Sequence, residues 1–158
     1  MKKVWLIFFL IFLVIGCETT LDSDSDLNQP FGDEGLVLTV ESIRETQGQQ
    51  FGEAPENTFY LLIDMTIENT SDSRKTITTS LMFELFGDEG GTYQVDNFIL
   101  SETDLQTMDT TLDPNESRNG TLPFIVSEAD TAWELTFSPD IFRGQTYSIH
   151  FDLDDFDS

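Results

Sequence analysis

The chain has 158 residues and a formal charge of −23, from 7 Lys+Arg against 30 Asp+Glu, with one Cys, one His and 14 Phe. One domain is the expectation at this length, and 39% hydrophobic residues suffice for a core. The lone Cys excludes an intramolecular disulfide and a Cys-based zinc site, and the acidity excludes nucleic acid as a partner, because phosphate contacts need clustered Lys and Arg.

Lys2 and Lys3 precede an unbroken apolar run from Val4 to Ile15, which meets Gly16, Cys17 and Glu18. A membrane-spanning helix needs about 20 apolar residues, so this shorter run has the layout of a signal peptide, residues 1–16. Val14-Ile15-Gly16-Cys17 resembles the lipobox of bacterial lipoproteins. That resemblance implies a diacylglyceryl group on the Cys17 thiol and cleavage just before it, which places the protein on the extracytoplasmic side of the cell envelope, anchored in the membrane by lipid. The implied mature chain keeps five basic residues (Arg44, Arg74, Lys75, Arg118, Arg143) against all 30 acids, a formal charge of −25.

Residues 17–34 continue from Cys17 as ETTLDSDSDLNQPFGDE, acidic and without a period, and predict a tether that spans roughly 20–25 Å as a coil. From Leu36 the apolar period is two, the mark of strands with one face inward. Leu36 to Ile43 changes phase between Val40 and Ile43, which a bulge near Ser42 would explain. Phe59, Leu61, Ile63, Met65 and Ile67 alternate with Tyr60, Leu62, Asp64, Thr66 and Glu68, and Ile77 to Leu85 does the same. Tyr93 to Ile99 and Leu122 to Val126 are weaker strands. Trp133, Leu135 and Phe137, then Tyr147, Ile149, Phe151 and Leu153, complete the set. The stretch from Ser101 to Thr111 reads as a crossing loop or an edge strand. Turn residues punctuate the runs at Asn69–Ser73, Gly87–Gly91, Asp113–Asn115, Ser138–Asp140 and Arg143–Gly144. About seven strands at such spacing predict an all-β, antiparallel β-sandwich over residues 35–153, followed by an acidic tail, 154–158. The expected core includes Leu61, Ile63, Met65, Leu81, Phe83, Trp133, Leu135, Phe137, Ile149 and Phe151.

Three segments carry a family resemblance: YLLIDMTIEN from Tyr60 with its Thr70-Ser71-Asp72 turn, FELFGDEGGTY from Phe83, and the Leu112-Asp113-Pro114-Asn115-Glu116 turn before GTLPFIV. Together they resemble a domain of unknown function common in bacterial lipoproteins, immunoglobulin-like and related to telokin-like and mycobacterial immunoprotective extracellular proteins. The resemblance implies an immunoglobulin-like sandwich and extracytoplasmic use, and no catalytic residue. Asn115 stands where that family has Gly, and Asn tolerates the left-handed conformation such a turn needs.

No catalytic constellation emerges. His150 shares an outward face with Asp152, yet no Gly-x-Ser-x-Gly nucleophile turn occurs, so His150 reads as a solvated surface residue. Phosphate loops are absent. Calcium is the one cofactor worth weighing, with Asp22, Asp24 and Asp26 in the tether and Asp152 and Asp154 near the end as candidate ligands. The first set lacks the loop Gly and the twelfth-position Glu, and the second lacks a cage, so both read as solvated acidic segments. The acidity with a single mature Lys favours adaptation to high salt, since about 1 M salt shortens the screening length to about 3 Å. The expectation is a non-catalytic module that binds an envelope or extracellular protein through its loops, with Phe51 in the Thr46–Thr58 loop and Met108 in the 101–111 stretch as exposed apolar contacts. A cation-dependent binding module is the alternative, and an envelope hydrolase a distant third.

Overall fold

A computed structural model describes residues 27–32, 35–47, 52–102, 105–142 and 144–155. Two four-stranded antiparallel sheets face one another. The first has the order β1-β2-β3-β8, from β1 (Phe31–Gly32), β2 (Leu36–Thr46), β3 (Thr58–Asn69) and β8 (Ser117–Ser127). The second has the order β10-β9-β5-β6, from β5 (Phe83–Gly87), β6 (Thr92–Tyr93), β9 (Ala132–Asp140) and β10 (Gln145–Asp152). A ribbon of β4 (Lys75–Ile77) with β7 (Thr110–Leu112) joins them at one end. The all-β sandwich expected from the period-two runs is therefore the fold.

Inward side chains of both sheets form one core, in which Leu38, Leu61, Ile63, Met65, Phe124, Leu135 and Phe137 are fully buried. Phe59 of β3 meets Trp133 of β9 edge-on at 6.1 Å, which fixes the start of β3 over the start of β9. The sandwich thus has two distinct ends. One holds Phe59, Trp133 and Phe151; at the other, β3 leaves at Asn69, β5 begins at Phe83 and β9 runs out at Asp140. The predicted bulge is present: the β2–β3 register shifts between Val40 and Ser42, so Leu36, Leu38, Val40 and Ile43 are all buried. Asn115 adopts φ 63°, as its turn requires.

Several expectations are corrected. The run from Ile77 to Leu85 is not one strand, because α1 (Thr79–Met82) interrupts it where the chain crosses between sheets. Asp109 accepts both the Thr79 N–H (2.7 Å) and its hydroxyl (2.9 Å), anchoring the helical turn and turning Leu81 outward, 61% exposed rather than in the core. Tyr93 to Ile99 also divides, into β6 and α2 (Asn97–Glu102), because the Asp96 carboxylate accepts the N–H groups of Phe98 and Ile99 as a helix cap. Tyr60 and Leu62, read as outward, are buried. Leu27 and Phe31 pack on the core and β1 joins the first sheet, so ordered structure begins inside the stretch assigned to the tether.

Buried Asn69, at the end of β3, donates to the Ser73 (2.8 Å) and Leu112 (3.1 Å) carbonyls and accepts from the Ser71 N–H and hydroxyl. It therefore organises the turn into β4 and ties it to β7.

Few cations offset the surface charge. Arg44 pairs with Asp64 at 3.0 Å, and the exposed Arg74 pairs with Asp113. Burial acts to raise the Asp64 pKa, but hydrogen bonds from Arg44, Thr121 and Ser42 outweigh it and hold the carboxyl below its usual value. Exposed pairs contribute only about 0–1 kcal/mol each. Stability should therefore rise as NaCl goes from about 0.1 M to above 1 M, over which the screening length falls from about 10 Å to about 3 Å. Thermal melts across that range check this, and a flat or falling melting temperature would refute the dominance of carboxylate repulsion.

Candidate functional site

At the Trp133 end, the second sheet carries an open cleft of about 410 Å³. Strand register builds it row by row. Phe86, Glu134 and His150 lie side by side across β5, β9 and β10 on the outer face, and Ala132 pairs with Asp152 one row further, next to Asp88. Between these rows, Gly87, Trp133 and Phe151 turn inward, with the Trp133 and Phe151 rings stacked at 5.9 Å. The cleft thus has a half-buried Phe86 ring, the edges of two buried aromatics behind it, and Asp88, Glu134, Asp152 and Asp155 around it.

These carboxylates differ in how far they are committed. Asp88 accepts the Thr131 N–H and hydroxyl, each at 2.9 Å, and these bonds lower its pKa. Asp152 accepts the Asp154 N–H, and Asp155 accepts the Asp152 N–H, closing the short 3-10 turn Leu153–Asp155. Glu134 lies 3.8 Å from the exposed His150 imidazole. Of the four, Glu134 is the carboxylate whose contacts leave it most available to a ligand.

Behind the cleft sits a group that sequence reading missed. Asp130 is 2% exposed and accepts the Glu89 N–H (2.8 Å) and the Tyr93 hydroxyl, whose oxygen in turn accepts the Ser127 N–H (3.2 Å). Burial and this bond raise the Tyr93 pKa. A Cβ on Gly87 would fall 2.2 Å from the Asp130 Cγ, so the glycine admits the carboxylate that orders the β5–β6 turn. These partners lie 34 to 41 residues apart, too far for any local pattern to reveal.

A second cleft of about 630 Å³ opens at the same end, lined by Gln47, the 53–58 segment and Glu128. It belongs to the loop from Thr46 to Thr58 read from sequence as a binding loop. Neither cleft has Lys or Arg in its lining.

Of the residues singled out in the sequence, Cys17, Asp22, Asp24, Asp26 and Phe51 lie outside the described residues. His150 and Asp152 are both exposed on one face of β10, as expected. The Asp152 carboxylate closes a turn by accepting the Asp154 N–H, and among the described residues no three His, Cys, Asp or Glu side chains stand close enough to hold a metal ion. Met108 is corrected: it is fully buried, seated over Gly120, where a Cβ would come within 2.4 Å of its Cγ.

Residues 25–148 match the model of a domain of unknown function, DUF4352. No curated protein matches the chain in sequence. Among solved structures, one similar chain is ycdA of Bacillus subtilis, described as a candidate lipoprotein, at 16% identity and a TM-score of 0.60 over 80% of this chain. This chain spans only 39% of the ycdA chain. A β-sandwich protein of Clostridium difficile (CD630_09570) aligns at 16% identity and TM-score 0.56, over 81% of this chain and 93% of its own. The secreted protein MPT63 of Mycobacterium tuberculosis aligns at 14% identity and TM-score 0.52, over 78% and 89% respectively. At these identities the likeness is one of fold.

Proposed function

We propose that this chain, which belongs to the DUF4352 family, is a non-catalytic, immunoglobulin-like module anchored by lipid at Cys17 on the extracytoplasmic side of the envelope, where it binds a cationic segment of an envelope or extracellular protein. The observation that carries the binding reading is the cleft in which Phe86 lies beside Glu134 and His150, with further carboxylates around it and no Lys or Arg in the lining. A Lys or Arg side chain suits this arrangement: its charge meets Glu134 and its cation rests on an aromatic face, a contact that contributes about 0.5–1 kcal/mol at exposed sites. Contact matters more than long-range attraction if the protein works in high salt, because at about 1 M the field of a carboxylate fades within about 3 Å. The lipobox, and the description of one structural neighbour as a candidate lipoprotein and of another as secreted, support the location. Calcium-dependent binding is less favoured, because Asp152 and Asp155 are engaged in closing a turn and, among the described residues, no three acidic side chains converge.

Residue-resolved NMR of the protein titrated with a tetralysine peptide tests the reading. Amide shifts should concentrate at Phe86, Glu134, His150 and Asp152. Shifts spread evenly over the acidic surface would count against a defined site.

A further inference from the structure

The two sheets end in four strands, and their edges are finished differently. β1 and β6 have two residues each, too short to template another strand. β8 is long, but the 93–106 segment lies along it. The Thr121 N–H bonds the Gln106 carbonyl (3.0 Å), the Pro123 carbonyl accepts the Asp96 N–H (2.8 Å), and the Ser127 N–H bonds the Tyr93 hydroxyl (3.2 Å). Pro123 itself has no N–H to offer. Where β2 runs on past β1, it is bulged between Val40 and Ser42. β10 is the other long edge, and from Tyr147 to Phe151 it has neither a bulge, a Pro nor, among the described residues, a covering segment.

The register fixes which backbone groups β10 turns outward. The Ala132 carbonyl accepts the Asp88 N–H, so from Ala132 to Phe137 the even-numbered residues of β9 bond toward β5 and the odd-numbered ones toward β10. Ser148 and His150 stand opposite Thr136 and Glu134, so their N–H and C=O groups point away from β9, out of the sheet edge. Asp152 follows the same pattern, and the Asp155 carboxylate closes its outward N–H at 2.9 Å. Among the described residues, nothing bonds the outward backbone groups of Ser148 and His150. The cleft opens directly beside this edge, where His150, Asp152 and Asp155 line it.

We infer that the cationic segment docks as an added strand on the β10 edge, antiparallel to it and bonded through Ser148 and His150, with a Lys or Arg at every second position on the cleft face. This rests on the binding reading above and specifies the conformation in which the segment is held. In strand addition, main-chain bonds supply affinity and alternate side chains supply specificity. A residue opposite His150 extends the Phe86–Glu134–His150 row by one strand and lies two strand spacings, about 10 Å, from Glu134. A Lys or Arg side chain and that of Glu134 together span this gap. Asp155 closes the ladder at Asp152, which sets where the added strand stops and puts two carboxylates beside its end. Charge selects the occupant. A second copy of this chain would lay its own carboxylates against Glu134, Asp152 and Asp155, and the acidic 18–26 segment would do the same, whereas a cationic strand neutralises them.

Three peptides of equal charge, acetylated and amidated, are titrated calorimetrically into the protein at fixed salt. They are Lys-Thr-Lys-Thr-Lys-Thr, the same peptide N-methylated at every Lys, and the same peptide N-methylated at every Thr. In an antiparallel ladder a Lys opposite His150 turns its own N–H toward β10, so methylation at Lys should weaken binding by about tenfold or more and methylation at Thr should change it by less than about twofold. Ser148→Pro removes an outward N–H and no bond to β9, a substitution that edge strands accept, and should weaken the unmethylated peptide likewise. Should that variant not fold, the methylated pair decides. Equal affinities or equal losses for the two methylated peptides, with Glu134→Lys still weakening the parent, overturn the added strand and leave the cleft as a site for single side chains. Loss on methylation at Thr alone contradicts the antiparallel placement. A dimer in sedimentation that Ser148→Pro dissociates assigns the edge to a second copy and also overturns the inference. No binding of the parent peptide overturns both readings.

Discussion

Phe137→Ala is expected to lower the unfolding free energy by about 3–5 kcal/mol, a large part of the typical total of about 5–15. The Phe137 side chain is fully buried and its ring stacks on Phe83 at 5.0 Å. Its strand position, paired with Tyr147 on one side and Phe83 on the other, leaves little room for neighbours to collapse into the vacated space. Both the lost transfer free energy and the residual cavity therefore contribute. Urea titration at fixed salt measures the effect, and an unchanged slope with a lower midpoint would identify it as lost stability. Leu81→Ala, which the alternation read from sequence makes an equal core truncation, should instead change stability by about 0.5 kcal/mol or less because the side chain faces out. Equal losses at the two positions would contradict the placement of α1.

Cys17→Ala should have the largest effect on location. If the lipobox is read in the cell, the variant takes up no fatty acid label and keeps its 16-residue leader, whereas the wild type gives an N-terminal peptide beginning at lipid-modified Cys17. One acyl chain holds a protein only marginally at a membrane, and two hold it stably, so the wild type should stay in the membrane fraction until detergent is added. Intact mass and the N-terminal peptide check this. Wild-type protein recovered soluble and unlipidated with its leader intact would end the anchoring account.

Much of the sandwich was legible because its long strands bury one face each. Phe59 to Ile67, Trp133 to Phe137 and the Ile149–Phe151 pair keep a period of two, and even the slip at Ser42 could be read as a bulge. Other features were hidden by their length. A single helical turn at Thr79–Met82 is too short to express a 3.6-residue period, so the alternation on either side runs through it. Met108 sits in a polar stretch before β7, and its burial depends on Gly120, a residue of β8. The cleft shared this difficulty: Phe86, Glu134 and His150 are unremarkable singly and meet only through the β5–β9–β10 register, while His150 and Asp152, two apart on one strand, were visible as a pair.

Charge reversal inside and outside the cleft tests the binding account most directly. Tetralysine is titrated calorimetrically into the wild type, Glu134→Lys and Glu53→Lys, the last two having the same net charge. A defined cleft predicts that Glu134→Lys weakens binding by about tenfold or more, equivalent to about 1.4 kcal/mol, while Glu53→Lys stays near the wild type. Equal weakening by both variants would mean that the peptide responds to overall acidity, and the cleft would lose its claim to be a binding site.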